Sequence, residues 1–189
     1  TANVAIVGAD DRGRGALGAR SAVVDCDALV TRDGGVGLLV LAADCTPILM
    51  ADHQAGVVAA LHAGRVGTVH GLILNALEAM RSLGADERRI KVCMGPAICS
   101  NHYPLSAEGL ATLPADVHAL PGALVPHHDG RVTFSLQTVQ LHQLAQAGIP
   151  RQNVEITGMC TFERSDLLFS ERRDGRPTGR FGAFISLPR

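Results

Sequence analysis

The sequence carries no excess of charge of either sign, no long apolar run and no paired-cysteine framework. Seventeen Lys and Arg against eighteen Asp and Glu leave a formal net charge of −1 over 189 residues, so no global electrostatic footprint points to nucleic acid or an anionic membrane. Apolar residues make up 47% of the chain, yet none of their runs approaches the roughly 20 residues of a membrane span. No basic–apolar–small signal peptide opens the sequence. Five cysteines, an odd number without framework spacing, suit reduced thiols better than a disulfide scaffold. The expectation is one intracellular, cytoplasmic domain over residues 1–189, with no internal repeat, low-complexity tract or linker.

What is present reads as strands in runs with two helices between them. Asn3–Gly8, Asp27–Thr31, Val36–Cys45, Arg89–Met94, Asn153–Gly158 and Arg180–Leu187 have extended character. Val69, Leu72, Ile73, Ala76, Leu77, Met80 and Leu83 recur at helical spacing, which predicts one helix over Val66–Leu83, stopped by Gly84. Ser135 is placed to cap a second helix ending near Ala147, before Gly148 and Pro150. Grouped strands with few helices argue for an α+β fold with mixed sheets.

Cys45 and His62 stand out. Pro47–Asp52 and Val57–Leu61 are short apolar runs joined by His53-Gln-Ala-Gly56, the pattern of a hairpin. With Asp52 facing Gly56, Cys45 would face position 63 and His62 position 46. A thiol and an imidazole would then be cross-strand neighbours, suited to a shared metal or a Cys–His dyad. Gly64 and Gly67 at the following strand-to-helix junction allow close backbone approach, and Asp44 and Arg65 flank the same mouth. The competing reading of Cys45 is a buried packing thiol.

Late in the chain, Arg172, Arg173 and Arg180 could act as guanidinium forks for phosphate or carboxylate; the plainer alternative is a solvated charged loop. The remaining histidines read as surface residues without metal-cluster spacing, with His102, beside Tyr103, singled out among them. Cys26, Cys93, Cys99 and Cys160 read as packing thiols.

Five ordered segments resemble a known family: Asp27-Ala-Leu-Val-Thr31, Ala43-Asp-Cys-Thr-Pro47, His62-Ala-Gly-Arg-Val-Gly67, Gly95-Pro-Ala-Ile98 with Tyr103, and Phe169-Ser-Glu-Arg-Arg-Asp-Gly175 with Thr178-Gly-Arg180. They are similar to the YfiH-type proteins, also called the multicopper polyphenol oxidoreductase or laccase-domain family. The resemblance spans essentially the whole chain. It implies a four-layer α/β/β/α sandwich and a Cys/His/His metal site, usually zinc, in which Cys45 and His62 match two ligands. The third family ligand, a histidine in a Val-His motif before the first strand, has no counterpart, so an N-terminal segment of the domain is expected to be missing. Two departures accompany the match. Arg65 stands where the family has tryptophan, with Val66 at the usual arginine, and Asn101-His102 replaces a cysteine-containing dipeptide.

The resemblance implies a zinc-dependent purine nucleoside phosphorylase with adenosine deaminase activity, acting on adenosine, inosine, guanosine or methylthioadenosine. Cys45 and His62 would serve both reactions, with Asp44, Arg65, Arg172, Arg173 and Arg180 holding substrate or phosphate. The partners implied are a purine nucleoside and phosphate, with a homodimer allowed and neither nucleic acid nor membrane. Two other enzyme readings stay open: a copper-dependent polyphenol oxidase, and a hydrolase using Cys45 and His62, linked to peptidoglycan editing. A folded, non-catalytic interaction domain is the fourth.

Overall fold

The computed structural model describes residues 1–188. Its elements, in chain order, are β1 (Val4–Ile6), β2 (Ala28–Thr31), β3 (Gly37–Ala42), β4 (Thr46–Asp52), β5 (Val57–Ala63), α1 (Arg65–Val69), α2 (Leu72–Ser82) and β6 (Lys91–Met94). There follow α3 (Ala107–Ala111), α4 (Ala115–Ala119), β7 (Leu124–Pro126), β8 (Val132–Phe134), α5 (Leu136–Gln146), β9 (Val154–Ile156), α6 (Glu171–Asp174) and β10 (Phe181–Ser186). Six strands form one mixed sheet in the order β1-β2-β5-β4-β6-β9. The outer pairs β1–β2 and β6–β9 are parallel and the inner pairs antiparallel. The expected α+β class with mixed sheets is what the chain adopts.

Alternation along β5 explains the layering. Val57, Ala59, Leu61 and Ala63 point to the helical side, where Leu72, Ile73, Ala76, Leu77 and Met80 of α2 close the main core with Leu144 of α5. Val58 and Ala60 point the other way, against Val36, Leu38 and Val40 around β3, which pairs antiparallel with β10. Truncating a fully buried Leu77 or Met80 to Ala removes about 2–5 kcal/mol of this packing. The described residues thus build three layers, helices, large sheet and two-stranded ribbon. Of the expected fourth, no α-helix covers the ribbon's outer face among the described residues, and Leu39, Leu41 and Phe184 are exposed there.

Two local expectations need correction. The single helix over Val66–Leu83 is two helices, because Gly71 adopts φ 81° and caps α2 in the left-handed region, a conformation cheap only for glycine. Apolar periodicity runs through such a break unchanged. Gly84, at φ 98°, follows the end of α2 as expected, and Ser135 caps α5 by accepting from the Thr138 amide.

The second correction is the hairpin register. Asp52 pairs with Val57 and Pro47 with His62, one residue away from the expected alignment. Asp52 causes the slip: its carboxylate is buried and accepts the amides of Gln54 and Ala55 inside the turn, an Asx-type closure that adds a residue to the loop. A one-residue slip reverses which residues share a face. Pro47 opposite His62 puts Cys45, two residues before Pro47, on the His62 side; this corrects the expected register, whose adjacent pairs 45/63 and 46/62 would have been close along the ladder but on opposite faces.

Candidate active site

Cys45 and His62 line one open cleft of about 470 Å3 at the end of the β4–β5 hairpin, a volume in the range of small-molecule sites. Cys45 belongs to no strand. It follows Asp44, whose φ of 94° turns the chain from β3 in the ribbon to β4 in the large sheet. A non-glycine residue there needs support, and Asp44 has it. Its carboxylate accepts from Thr161 Oγ1 at 2.6 Å and from the Arg172 amide at 2.7 Å, and its carbonyl accepts the Ile98 amide. Asp44 thereby ties three distant segments to the cleft, with both carboxylate oxygens already occupied.

Burial, followed by the negative charges of Asp44, Glu171 and Asp27, pushes the Cys45 thiol up to about 11. Opposite it, His62 Nδ1 lies 3.2 Å from Asp27 Oδ1. The carboxylate accepts, so Nδ1 carries the proton and Nε2 is the free ring atom. The Thr1 hydroxyl donates to the other oxygen of the same Asp27 carboxylate at 3.0 Å. A carboxylate behind an imidazole is the arrangement that orients metal-ligating histidines. Cys45 and His62 bring one thiol and one imidazole to the same cleft lining. No third His, Cys, Asp or Glu joins this pair into a ligand cluster among the described residues.

The five other expected site residues separate in space. Arg172 and Arg180 line the cleft with Asp44. Arg172 lies over the Tyr103 ring at 5.1 Å, a cation–π contact, and donates weakly to the Pro104 carbonyl at 3.3 Å. It pairs with no carboxylate among the described residues, leaving guanidinium donors for a ligand. Arg180 is bound to Glu171 at 3.0 Å. Arg65 opens α1 and reaches Thr112 Oγ1 at 2.8 Å, outside the lining of the cleft. Arg173 also lies outside it. Its guanidinium donates to the carbonyls of Thr161, Phe162 and Leu168 and pairs with Asp174, stapling the 160s segment rather than presenting a fork to the cleft.

Sequence reasoning passed over several residues that the fold brings here. Asp27 was visible as a motif residue, but its pairing with His62 spans 35 positions and leaves no local trace. Arg176 and Glu171, which also line the cleft, form a 2.7 Å ion pair. Tyr103 forms another part of the wall, edge-on to Phe134.

A second constellation lies next to Tyr103 in the chain, where Cys99, read from the sequence as a packing thiol, and His102, singled out among the histidines, come together with Glu163. Ligand atoms of Cys99, His102 and Glu163 lie within 4.8 Å of one another, a set compatible with a metal ion. Cys99 Sγ is 3.6 Å and His102 Nε2 is 3.0 Å from Glu163 Oε1. Burial, then Cys160 and Glu163, pushes the Cys99 thiol up to about 12.

Comparison with known proteins agrees with this architecture. The family profile described as multi-copper polyphenol oxidoreductase laccase matches residues 1–188. A purine nucleoside phosphorylase of Mycobacterium tuberculosis is 39% identical over 165 residues, 87% of this chain and 63% of that protein. An adenosine deaminase from an unknown prokaryotic organism is 34% identical over 161 residues, 85% of this chain and 62% of that protein. The crystal structure of the Bacillus licheniformis hypothetical protein YfiH superposes with a TM-score of 0.88 at 29% identity, covering 98% of this chain and 70% of that one. The chain thus spans somewhat under two thirds of the length of these curated relatives. No helix among the described residues is long and apolar enough to cross a membrane.

Proposed function

The chain belongs to the multi-copper polyphenol oxidoreductase laccase family, and from that premise we propose that it acts as a purine nucleoside phosphorylase that also deaminates adenosine. The observation that carries the reading is the shared cleft: a thiol, an oriented imidazole and an arginine that pairs with no carboxylate among the described residues face one space of nucleoside size. Relatives named for both activities support it.

In phosphorolysis, phosphate attacks C1′ of the ribose as the bond to the purine nitrogen breaks, and positive charge builds on the sugar. Arg172 is the anion holder, because its donors are not consumed by an internal carboxylate, while Arg176 and Arg180 are held by Glu171 and shape the floor. Tyr103, half-buried with Arg172 over its ring, is an aromatic wall of the same cleft that a purine can contact. In deamination, water adds at C6 and ammonia leaves. His62, with Nδ1 committed to Asp27, has Nε2 left to ligate a metal beside Cys45. Zinc held by Cys45 and His62 would supply Lewis acidity for that hydrolysis.

A Cys45-nucleophile hydrolase is disfavoured by a thiol pushed up to about 11, since the thiolate is the nucleophile. A polyphenol oxidase finds support in the family description, and stoichiometric copper with a blue absorption band would favour it. The test is to incubate the full-length protein with adenosine, inosine, guanosine and methylthioadenosine, with and without phosphate. Phosphate-dependent release of free base, and ammonia from adenosine, are expected. Absence of both rejects the proposal.

A further inference from the structure

We propose that Cys99, His102 and Glu163 form a separate metal site that takes one zinc-class divalent cation beside the cleft. This does not rest on the cleft's function, because none of the three residues lines it.

The backbone assembles the site. Cys99 caps a 3-10 turn over Ser100–His102, and the His102 amide donates to the Cys99 carbonyl. Residues three apart eclipse in such a turn, so Cys99 and His102 stack as a Cys-x-x-His pair. Glu163 arrives from 61 residues away, brought by the bridge between Ala97 and Cys160. In that bridge Ala97 donates to Met159 and accepts from Thr161. Cys160 adds a further tie, its sulfur accepting the Cys99 amide at 3.2 Å.

The spacing suits coordination. Metal bonds of about 2.0–2.3 Å in a tetrahedron set ligand atoms roughly 3.3–3.6 Å apart. The observed separations of 3.6 Å for sulfur to oxygen and 3.0 Å for nitrogen to oxygen bracket that edge. One oxygen, Glu163 Oε1, is the shared vertex of both. The Phe162 ring lies parallel to His102 at 4.3 Å, holding the imidazole in plane. Thiolate, imidazole and carboxylate together suit zinc rather than calcium or magnesium. With Glu163 exposed and His102 half-buried, an ion has an entry path and room for water as a fourth ligand.

Such an ion would clamp the Gly95–Tyr103 segment to the 160s segment. Tyr103, the next residue after His102, is a cleft wall, so the clamp stiffens that wall without touching the reacting atoms.

The test uses reduced, metal-stripped full chain and Co2+ as a spectroscopic probe. A Cys45→Ser/His62→Ala variant is expected to bind one Co2+ with a thiolate-to-cobalt charge-transfer band and tetrahedral visible bands. Adding Cys99→Ser should abolish that band, and Glu163→Gln should weaken Co2+ and Zn2+ binding by more than ~100-fold, given that even outer-shell partners are worth roughly 10–100-fold. Should the Cys45→Ser/His62→Ala background unfold, Cys99→Ser alone in the parent is expected to remove one metal equivalent and one thiolate band. Two results would overturn the proposal: no thiolate–cobalt band in the folded background variant, or a band unaffected by Cys99→Ser.

Discussion

Gly64→Ala tests whether the position of the Cys45 sulfur controls chemistry in the cleft. Gly64 has φ −78° and ψ 178°, a conformation open to alanine, so the substitution introduces no backbone strain. Its new Cβ would lie 2.7 Å from Cys45 Sγ and 3.6 Å from Cys45 Cβ, whereas ordinary contact begins at 3.4 Å. The thiol must therefore retreat by about 0.7 Å or more. A misplacement of about 1 Å costs on the order of 100-fold in rate, so kcat/KM for adenosine in the full-length protein should fall roughly 10–100-fold. Gly64 is also the N-cap of α1, and alanine is a poor cap, costing up to about 1 kcal/mol. That loss lowers Tm by only about 2–4 °C in a domain of this size, and thermal denaturation by circular dichroism measures it separately. A folded variant whose kcat/KM stays within about threefold of the parent, against the expected loss of roughly 10–100-fold, would refute the view that this sulfur is positioned for function.

Cys45 should alkylate slowly at neutral pH. With its thiol at about 11, above the free-cysteine value of 9.0, the reactive thiolate is a minute fraction near pH 7. Labelling by iodoacetamide, read by peptide mass spectrometry, should rise about tenfold per pH unit towards that value; a plateau by about pH 8 would contradict the burial argument. Asp52 is the expected stability hot spot. Burial pushes its carboxyl up, but the Arg89 guanidinium and the amides of Asp86 and Ala55 outweigh that and hold it at about 2, against 3.8 when free. A depressed carboxyl contributes stability above the unfolded value, and this contribution disappears as pH falls from about 4 through about 2. Asp52→Ala should cost about 3–5 kcal/mol in urea denaturation near neutrality, by orphaning Arg89 and three amides. The gap between variant and parent should narrow below about pH 3, and a neutral-pH loss under about 1 kcal/mol would count against the buried-pair account.

Local chemistry was readable from the sequence wherever the signal was short in range. Alternation and apolar runs marked β1 to β6, β9 and β10 but not β7 or β8, helical spacing marked α2, and Ser135 and Gly84 marked helix ends that the backbone confirms. The hairpin carrying His62 was visible as well, and Cys45 and His62 do line one cleft. Its register was not, because the side chain of Asp52 enters the turn and adds one residue to it. Nor was the fate of the arginines. Arg172 and Arg173 are adjacent, yet one guanidinium stacks on Tyr103 in the cleft and the other is consumed by carbonyls of the 160s segment. Charge and spacing are the same for both in the sequence, and only packing distinguishes them.

The sequence by itself determined the α+β class, the family motifs and which thiol and imidazole belong to the hairpin, since each is written within a few neighbouring residues. Tertiary structure alone decided that Asp27 stands behind His62, that Asp44 ties down Arg172 and Thr161, and that Glu163 meets Cys99 and His102. These contacts join residues 35 to 128 positions apart. A side-chain hydrogen bond reaches only about 3 Å, so such a pairing exists only after the sheets have folded the chain back on itself.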